Sequence, residues 1–242
     1  MLVRIARRYA LAASLLATAV AVLVVAVGWA IVGPPPVSAA ASLLRLNVVR
    51  TRRDAVRVEL VSGAAEARYR AQEVLSGRGF NEAVGRTSAV TGGILLDDLG
   101  GVVASQSRIS VDLTTLVSDN AMRDRYIQRA TLQTEEYPTA AFQVMSAPGL
   151  PQPLPTSGTA SFTLVGELTV HGVTRPTTWD ATATFADGEV QGTASTTVLL
   201  TDFGMEPPRA GPVLSIEDAV RLELDVRGTV APSLADLLTE PT

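Results

Sequence analysis

From about Ala65 onward, apolar side chains recur at every second position. Ile109, Val111 and Leu113 share one parity, as do Phe142 and Val144, Phe162 and Leu164, and Leu168 and Val170. Trp179 to Phe185 are apolar at the odd positions, and Leu222, Leu224 and Val226 alternate with Arg221, Glu223, Asp225 and Arg227. A period of two places each set on one face of a strand. One-faced strands separated by turn signals predict an antiparallel all-β domain. Asp97-Asp98-Leu99-Gly100-Gly101 and Ala186-Asp187-Gly188-Glu189 are two such turns, the second a hairpin signal. About eight strands across residues 65–231 suit a closed barrel that can hold one small ligand.

Two segments break this alternation. Between Asp119 and Glu136, Asn120 is a candidate N-cap, Met122, Tyr126 and Ile127 have helical spacing, and Thr131 is a candidate second cap. One or two short helices covering a barrel end are expected there. Pro148, Pro151, Pro153 and Pro155 mark an extended connector. Ahead of the domain, Val56-Arg57-Val58-Glu59-Leu60-Val61 alternates like an edge strand within a linker or stalk over residues 33–64.

The N-terminus reads differently. No charged residue occurs from Tyr9 to Val32, and at about 1.5 Å per residue a helix over 9–32 exceeds the roughly 30 Å apolar core of a bilayer. Arg4, Arg7 and Arg8 precede it in a cytoplasmic N-terminus of residues 1–8, and Gly33-Pro34-Pro35-Pro36 ends it. A single-pass anchor with its C-terminal domain outside the cytoplasm is expected, although Arg45, Arg50, Arg52 and Arg53 weaken the charge asymmetry. The rival reading is secretion after cleavage of a signal peptide near Ala39-Ala40-Ala41, and Arg7-Arg8 admits twin-arginine export. Residues 232–242 form a tail with little pattern.

Composition removes several chemistries. With no cysteine there is no disulfide, thiolate metal site or lipidated cysteine anchor. One histidine is too few for a zinc site, and the Asp97-Asp98 turn lacks the spacing of a calcium loop. No cofactor and no metal are expected. All 20 positive side chains are arginines, scattered along a chain of net charge −4, so no nucleic-acid surface is expected.

The solitary His171 sits in Gly166-Glu167-Leu168-Thr169-Val170-His171-Gly172-Val173-Thr174-Arg175-Pro176, which reads as a hairpin with His171-Gly172 at its turn. No serine occupies a Gly-x-Ser-x-Gly elbow, so a structural His171 is set against a catalytic one. Gly77-Arg78-Gly79 and Gly92-Gly93 lack the strand-to-helix setting of phosphate loops. Arg123-Asp124 opens the helical segment and has two readings: a polar anchor for a ligand head at the barrel mouth, or an ion-pair network that pins a lid.

Gly85-Arg86-Thr87 with Val90-Thr91-Gly92, then Arg123-Asp124, Tyr137-Pro138 leading to Phe142, the hairpin from Gly166 to Pro176, and Asp202-Phe203-Gly204 together resemble the YceI-like family over most of residues 65–230. The resemblance implies an extended lipocalin-like antiparallel β-barrel, exported beyond the cytoplasmic membrane. It also implies an elongated apolar cavity for a polyisoprenoid, an isoprenoid-quinone-like lipid or a similar long chain. The chain departs from the family pattern in three ways. Several members carry a removable signal where this chain is expected to keep a long apolar helix. The early strand Ala65-Glu66-Ala67-Arg68-Tyr69-Arg70 is arginine-rich, and the histidine common after that strand is absent.

A membrane-anchored, extracytoplasmic, non-enzymatic lipid-binding barrel is therefore expected, with a long-chain lipid as partner and an undetermined oligomeric state. By parity, its cavity would be lined by Phe142, Val144, Phe162, Leu168, Val170, Trp179, Leu222 and Leu224, any of which could instead be core. The rival classes are an enzyme acting on a prenyl lipid through His171 or Asp202, and a ligand-free interaction module.

Overall fold

The computed structural model describes residues 55–77, 79–208 and 213–232. The expected membrane helix, most of the stalk and the C-terminal tail lie outside the described residues. Among those described, no helix is long and apolar enough to cross a membrane.

Eleven strands form one sheet: β1 Val56–Leu60, β2 Glu66–Leu75, β3 Gly79–Thr87, β4 Val90–Leu96, β5 Arg108–Asp112, β6 Val117–Ser118, β7 Thr139–Ser146, β8 Ser157–Val170, β9 Val173–Ala186, β10 Glu189–Leu199 and β11 Val213–Pro232. Three pairs share a line. β11 runs along β2 with Val213–Asp225 and along β1 with Gly228–Pro232, so β1 and β2 follow one another on its flank. On their far side β1 meets β4 and β2 meets β3, and beyond those β4 meets β5 and β3 meets β6. Eleven strands thus make eight lines, each bonded antiparallel to the next in sequence, and the last returns to the first. The result is a closed up-and-down barrel.

Strand β1 corrects the sequence reading. Rather than an edge strand in a stalk, Val56–Leu60 bonds β4 on one side and β11 on the other, so the barrel begins at Val56 and not at Ala65. Alternation reports which face of a strand is buried; it does not report how many neighbours the strand has.

The interior follows the predicted parity. On β9, Trp179, Ala181, Ala183 and Phe185 are buried while Thr178, Asp180, Thr182, Thr184 and Ala186 are exposed. Pro176 lies on this strand where β8 is its bonded neighbour, since pairing with β10 starts only at Asp180–Ser195. A residue without an N–H is tolerated there.

Arg68 and Arg70, which made the early strand look unusual, point outward. Arg68 meets Glu66, Glu223 and Asp225, and Arg70 meets Glu223 and Glu82. The β2–β11 contact thereby carries a ladder of opposite charges on its wet face and Ala67, Tyr69, Leu222 and Leu224 on its dry one.

A short helix, α1 (Ala121–Tyr126), continues into a π-helical turn over Ile127–Thr131. Asn120 caps it by accepting from the N–H groups of Met122 and Arg123, at 2.9 and 3.2 Å. Thr131 ends this segment rather than capping a second helix, because the chain widens into one π turn, closed by the Leu132 N–H donating to the Ile127 carbonyl, before leaving.

Candidate functional site

At one end of the barrel lie α1, the β2–β3 hairpin, the β8–β9 turn and the 3-10 turn Thr201–Phe203. Beneath them is a chamber of about 670 Å³. That volume falls within the roughly 300–1,000 Å³ range of small-molecule sites. A smaller void of about 90 Å³ lies toward the opposite end, and Ile109, Leu164, Ala194 and Leu224 border both.

Six of the eight residues chosen by parity line the larger chamber: Phe142, Leu168, Val170, Trp179, Leu222 and Leu224. The rings of Phe142 and Trp179 lie 5.5 Å apart at 41°, and the Trp179 indole N–H donates to the Thr177 hydroxyl at 3.2 Å. This arrangement keeps a large apolar surface in place and satisfies the one polar atom of the indole. Phe162 borders the smaller void instead, beside Ala183, Phe185 and Val190. Val144 borders neither. It is 0% exposed and fully enclosed, so it is core, because parity selects the inward face without telling whether that level of the barrel is packed or hollow.

Arg123 and Asp124 take different roles. The Arg123 guanidinium reaches the chamber wall, donating to Glu73 at 2.9 Å and to Asp119. Burial alone would lower its pKa, but the facing carboxylates more than reverse this and raise it. Asp124 does not line the chamber. Its carboxylate accepts from the Ser118 N–H at 2.9 Å and the Ser118 hydroxyl at 2.6 Å, fastening the helix to β6. Gln128 adds a second fastening through the carbonyls of Thr114 and Leu116.

Sequence reasoning missed Glu73, 2% exposed at an inward position of β2 in the series Ala67, Tyr69, Ala71, Glu73, Leu75. A charged residue on an otherwise apolar parity was the signal that could have found it. Asn81, across the ladder, donates to it at 2.7 Å. Tyr69, on the same wall, has its phenol pKa pushed up to about 12, chiefly by burial, so it is neutral and keeps its proton.

His171 has a positive φ of 52° and Gly172 one of 72°, which makes the β8–β9 connection a tight hairpin turn. The imidazole lies 4.6 Å from the ring of Tyr137, and its Nδ1–H donates to the Phe203 carbonyl at 3.3 Å. A Cβ on Gly172 would sit 2.7 Å from Tyr137 Cε1, so this position needs glycine for space as well as for its backbone. Tyr137-Pro138, the hairpin and Asp202-Phe203-Gly204 therefore meet in one structural knot at the rim. The Asp202 side chain is exposed, and Phe203 is 1% exposed in the core.

A closed up-and-down barrel of eight lines enclosing an apolar chamber under one short helix defines an all-β antiparallel cavity barrel. Within that class the chain belongs to the YceI-like domain family, whose sequence profile matches residues 64–228. It is 39% identical over 113 residues to a UPF0312 protein of Pseudomonas putida, covering 43% of this chain and 55% of that one. This chain thus spans about half the length of that relative. A UPF0312 protein of Vibrio parahaemolyticus is 29% identical over 157 residues, covering 62% of this chain and 76% of that one. Two solved structures share the fold. A polyisoprenoid binding domain from Saccharophagus degradans aligns with a TM-score of 0.55 at 10% identity, covering 72% of this chain and 98% of that one. Burkholderia cenocepacia BcnA aligns at 0.53 with 11% identity, covering 70% and 99%.

Proposed function

We propose that this protein is a non-enzymatic binding protein that holds a polyisoprenoid, or a similar long-chain lipid, inside its barrel. The N-terminal helix would tether it at the extracytoplasmic face of the membrane. The observation that carries the reading is the chamber itself, about 670 Å³, walled by Phe142, Leu168, Val170, Trp179, Leu222 and Leu224. Burial contributes on the order of 0.8 kcal/mol per CH₂, so each isoprene unit taken in supplies roughly 3–4 kcal/mol before ordering costs.

The Saccharophagus degradans domain, described as polyisoprenoid-binding, supports this choice of ligand. The rim supports it too. Phe80 and Met122, 88% and 73% exposed, place bare apolar side chains on the hairpin and the helix that border the opening, where a lipid tail would enter. His171 serves the rim as a turn residue bound to backbone, and this use of its ring favours binding over acid–base chemistry.

The test is solvent extraction of the purified full-length chain followed by mass spectrometry. A near-stoichiometric prenyl lipid is expected. Absence of any co-purifying lipid, together with no uptake of a labelled prenyl lipid by the delipidated protein, would overturn the reading. N-terminal sequencing of the mature protein tests the tether, with Met1 or Leu2 expected and a start near Ala41 refuting it.

A further inference from the structure

We infer that the bound lipid carries a hydrogen-bond-donating, uncharged head, such as a hydroxyl or a primary amide, and that Glu73 receives it. This rests on the chamber holding a lipid. Glu73 projects inward from β2 and is 2% exposed. Its Oε1 is fully engaged, accepting from Asn81 Nδ2 at 2.7 Å and from Arg123 Nη2 at 2.9 Å. Its Oε2 is equally buried and no donor among the described residues reaches it. Buried acceptors are almost always paired, and an unpaired carboxylate oxygen on a residue that lines the chamber marks where a ligand donor belongs.

The charges around it select against an anion. Among the described residues, the charged groups on this part of the wall are Glu73, Asp119 and Arg123, and that arginine is already shared between the two carboxylates. A phosphate or carboxylate head would face Glu73 with no uncommitted guanidinium among the described residues of the wall to receive it. Arg68 and Glu223, also near the wall, are committed to the outer ladder with Glu66, Asp225, Arg70 and Arg221. Arg123 stands on α1 and Glu73 beside the β2–β3 hairpin, so the head would be held where helix and hairpin meet, with the tail running down toward Leu164 and Leu224.

Three ligands with one common C20 prenyl tail test this on the full-length, delipidated protein in amphipol: the free alcohol, its methyl ether and its monophosphate. Binding is followed by fluorescence of the chamber residue Trp179 in a Trp29→Phe background. The alcohol should bind about tenfold or more tightly than the ether, because a hydrogen bond to a charged acceptor is at stake. The phosphate should bind more weakly than the ether. In Glu73→Gln, whose amide would present an N–H to the chamber, the ether should bind at least as well as the alcohol.

The comparison on unaltered Glu73 needs no variant to fold. Equal affinity for all three, or tightest binding of the phosphate, overturns the head assignment while leaving lipid binding intact. Failure of all three to bind overturns the lipid reading on which it rests.

Discussion

Val144 and Val170 share the inward face but differ in what stands in front of them, and replacing each with alanine separates core from chamber wall. Val144 is 0% exposed and borders no void, whereas Val170 is half-buried and faces the chamber. Removing two carbons from Val144 forfeits about 1.6 kcal/mol of transfer energy at 0.8 kcal/mol per CH₂, and the space left behind adds roughly 1 kcal/mol. Val144→Ala should therefore cost about 2–3 kcal/mol. Val170 already has empty space on one side, so its alanine variant creates little new cavity and should cost on the order of 0.5–1 kcal/mol. With a urea dependence of about 1–3 kcal/mol per molar, the first variant should unfold near 1 M earlier than wild type and the second only a few tenths earlier. Unfolding can be followed by Trp179 fluorescence in the Trp29→Phe background. Lipid affinity should show the reverse order, falling a few-fold for Val170→Ala and staying unchanged for Val144→Ala. Equal destabilisation of the two variants, or weaker binding in Val144→Ala alone, would refute the distinction.

Gly172→Ala should lower stability by more than Gly188→Ala. Both glycines have positive φ, but only the first would bring a Cβ within 2.7 Å of Tyr137, and thermal unfolding should show a gap of several degrees. At Glu223, burial pushes the carboxyl pKa up, but hydrogen bonds from Arg70, Arg68 and Arg221 outweigh this and hold it below its ordinary value. Its stabilisation is therefore complete above the ordinary carboxylate range and is lost as pH falls through that range toward the folded value. Urea midpoints at pH 6 and pH 3.5 should differ less in Glu223→Gln than in wild type. Asn120→Ala removes the cap of α1, worth about 1 kcal/mol, and should speed lipid release several-fold in stopped-flow exchange while leaving the barrel's unfolding midpoint nearly unchanged.

The barrel was legible because its strands carry the pattern themselves. The odd positions of β9 and the even positions of β11 face inward as their alternation requires, and Asp187-Gly188 closes its hairpin with both φ values positive. Asn120 was legible as a cap for the same local reason. What escaped depends on contacts distant in the chain. Val56–Leu60 is a closing strand because β11 and β4 reach it, and no local signal carries that. Val144 and Val170 are indistinguishable by parity, since whether the barrel is solid or hollow at a given level is set by all eight lines together. Arg123 was visible as a charge near a lid, but its partner Glu73 lies fifty positions earlier. Only the fold brings them together.

The seam between β11 and the shared line of β1 and β2 bears on when the chamber comes into being. Every other junction of the barrel joins segments near one another in the chain, whereas closure joins residue 56 to residue 232, almost the whole domain apart. Such a contact is paid for in loop entropy before it returns any energy, which makes it a late event in folding. A growing chain that has completed β10 but not β11 is an open sheet with two unbonded margins and no enclosed space. Lipid can be retained only after the final strand has locked in. Deletions within Val213–Pro232 should accordingly abolish retention outright instead of weakening it by degrees, and partly made chains would be exposed to mispairing with one another.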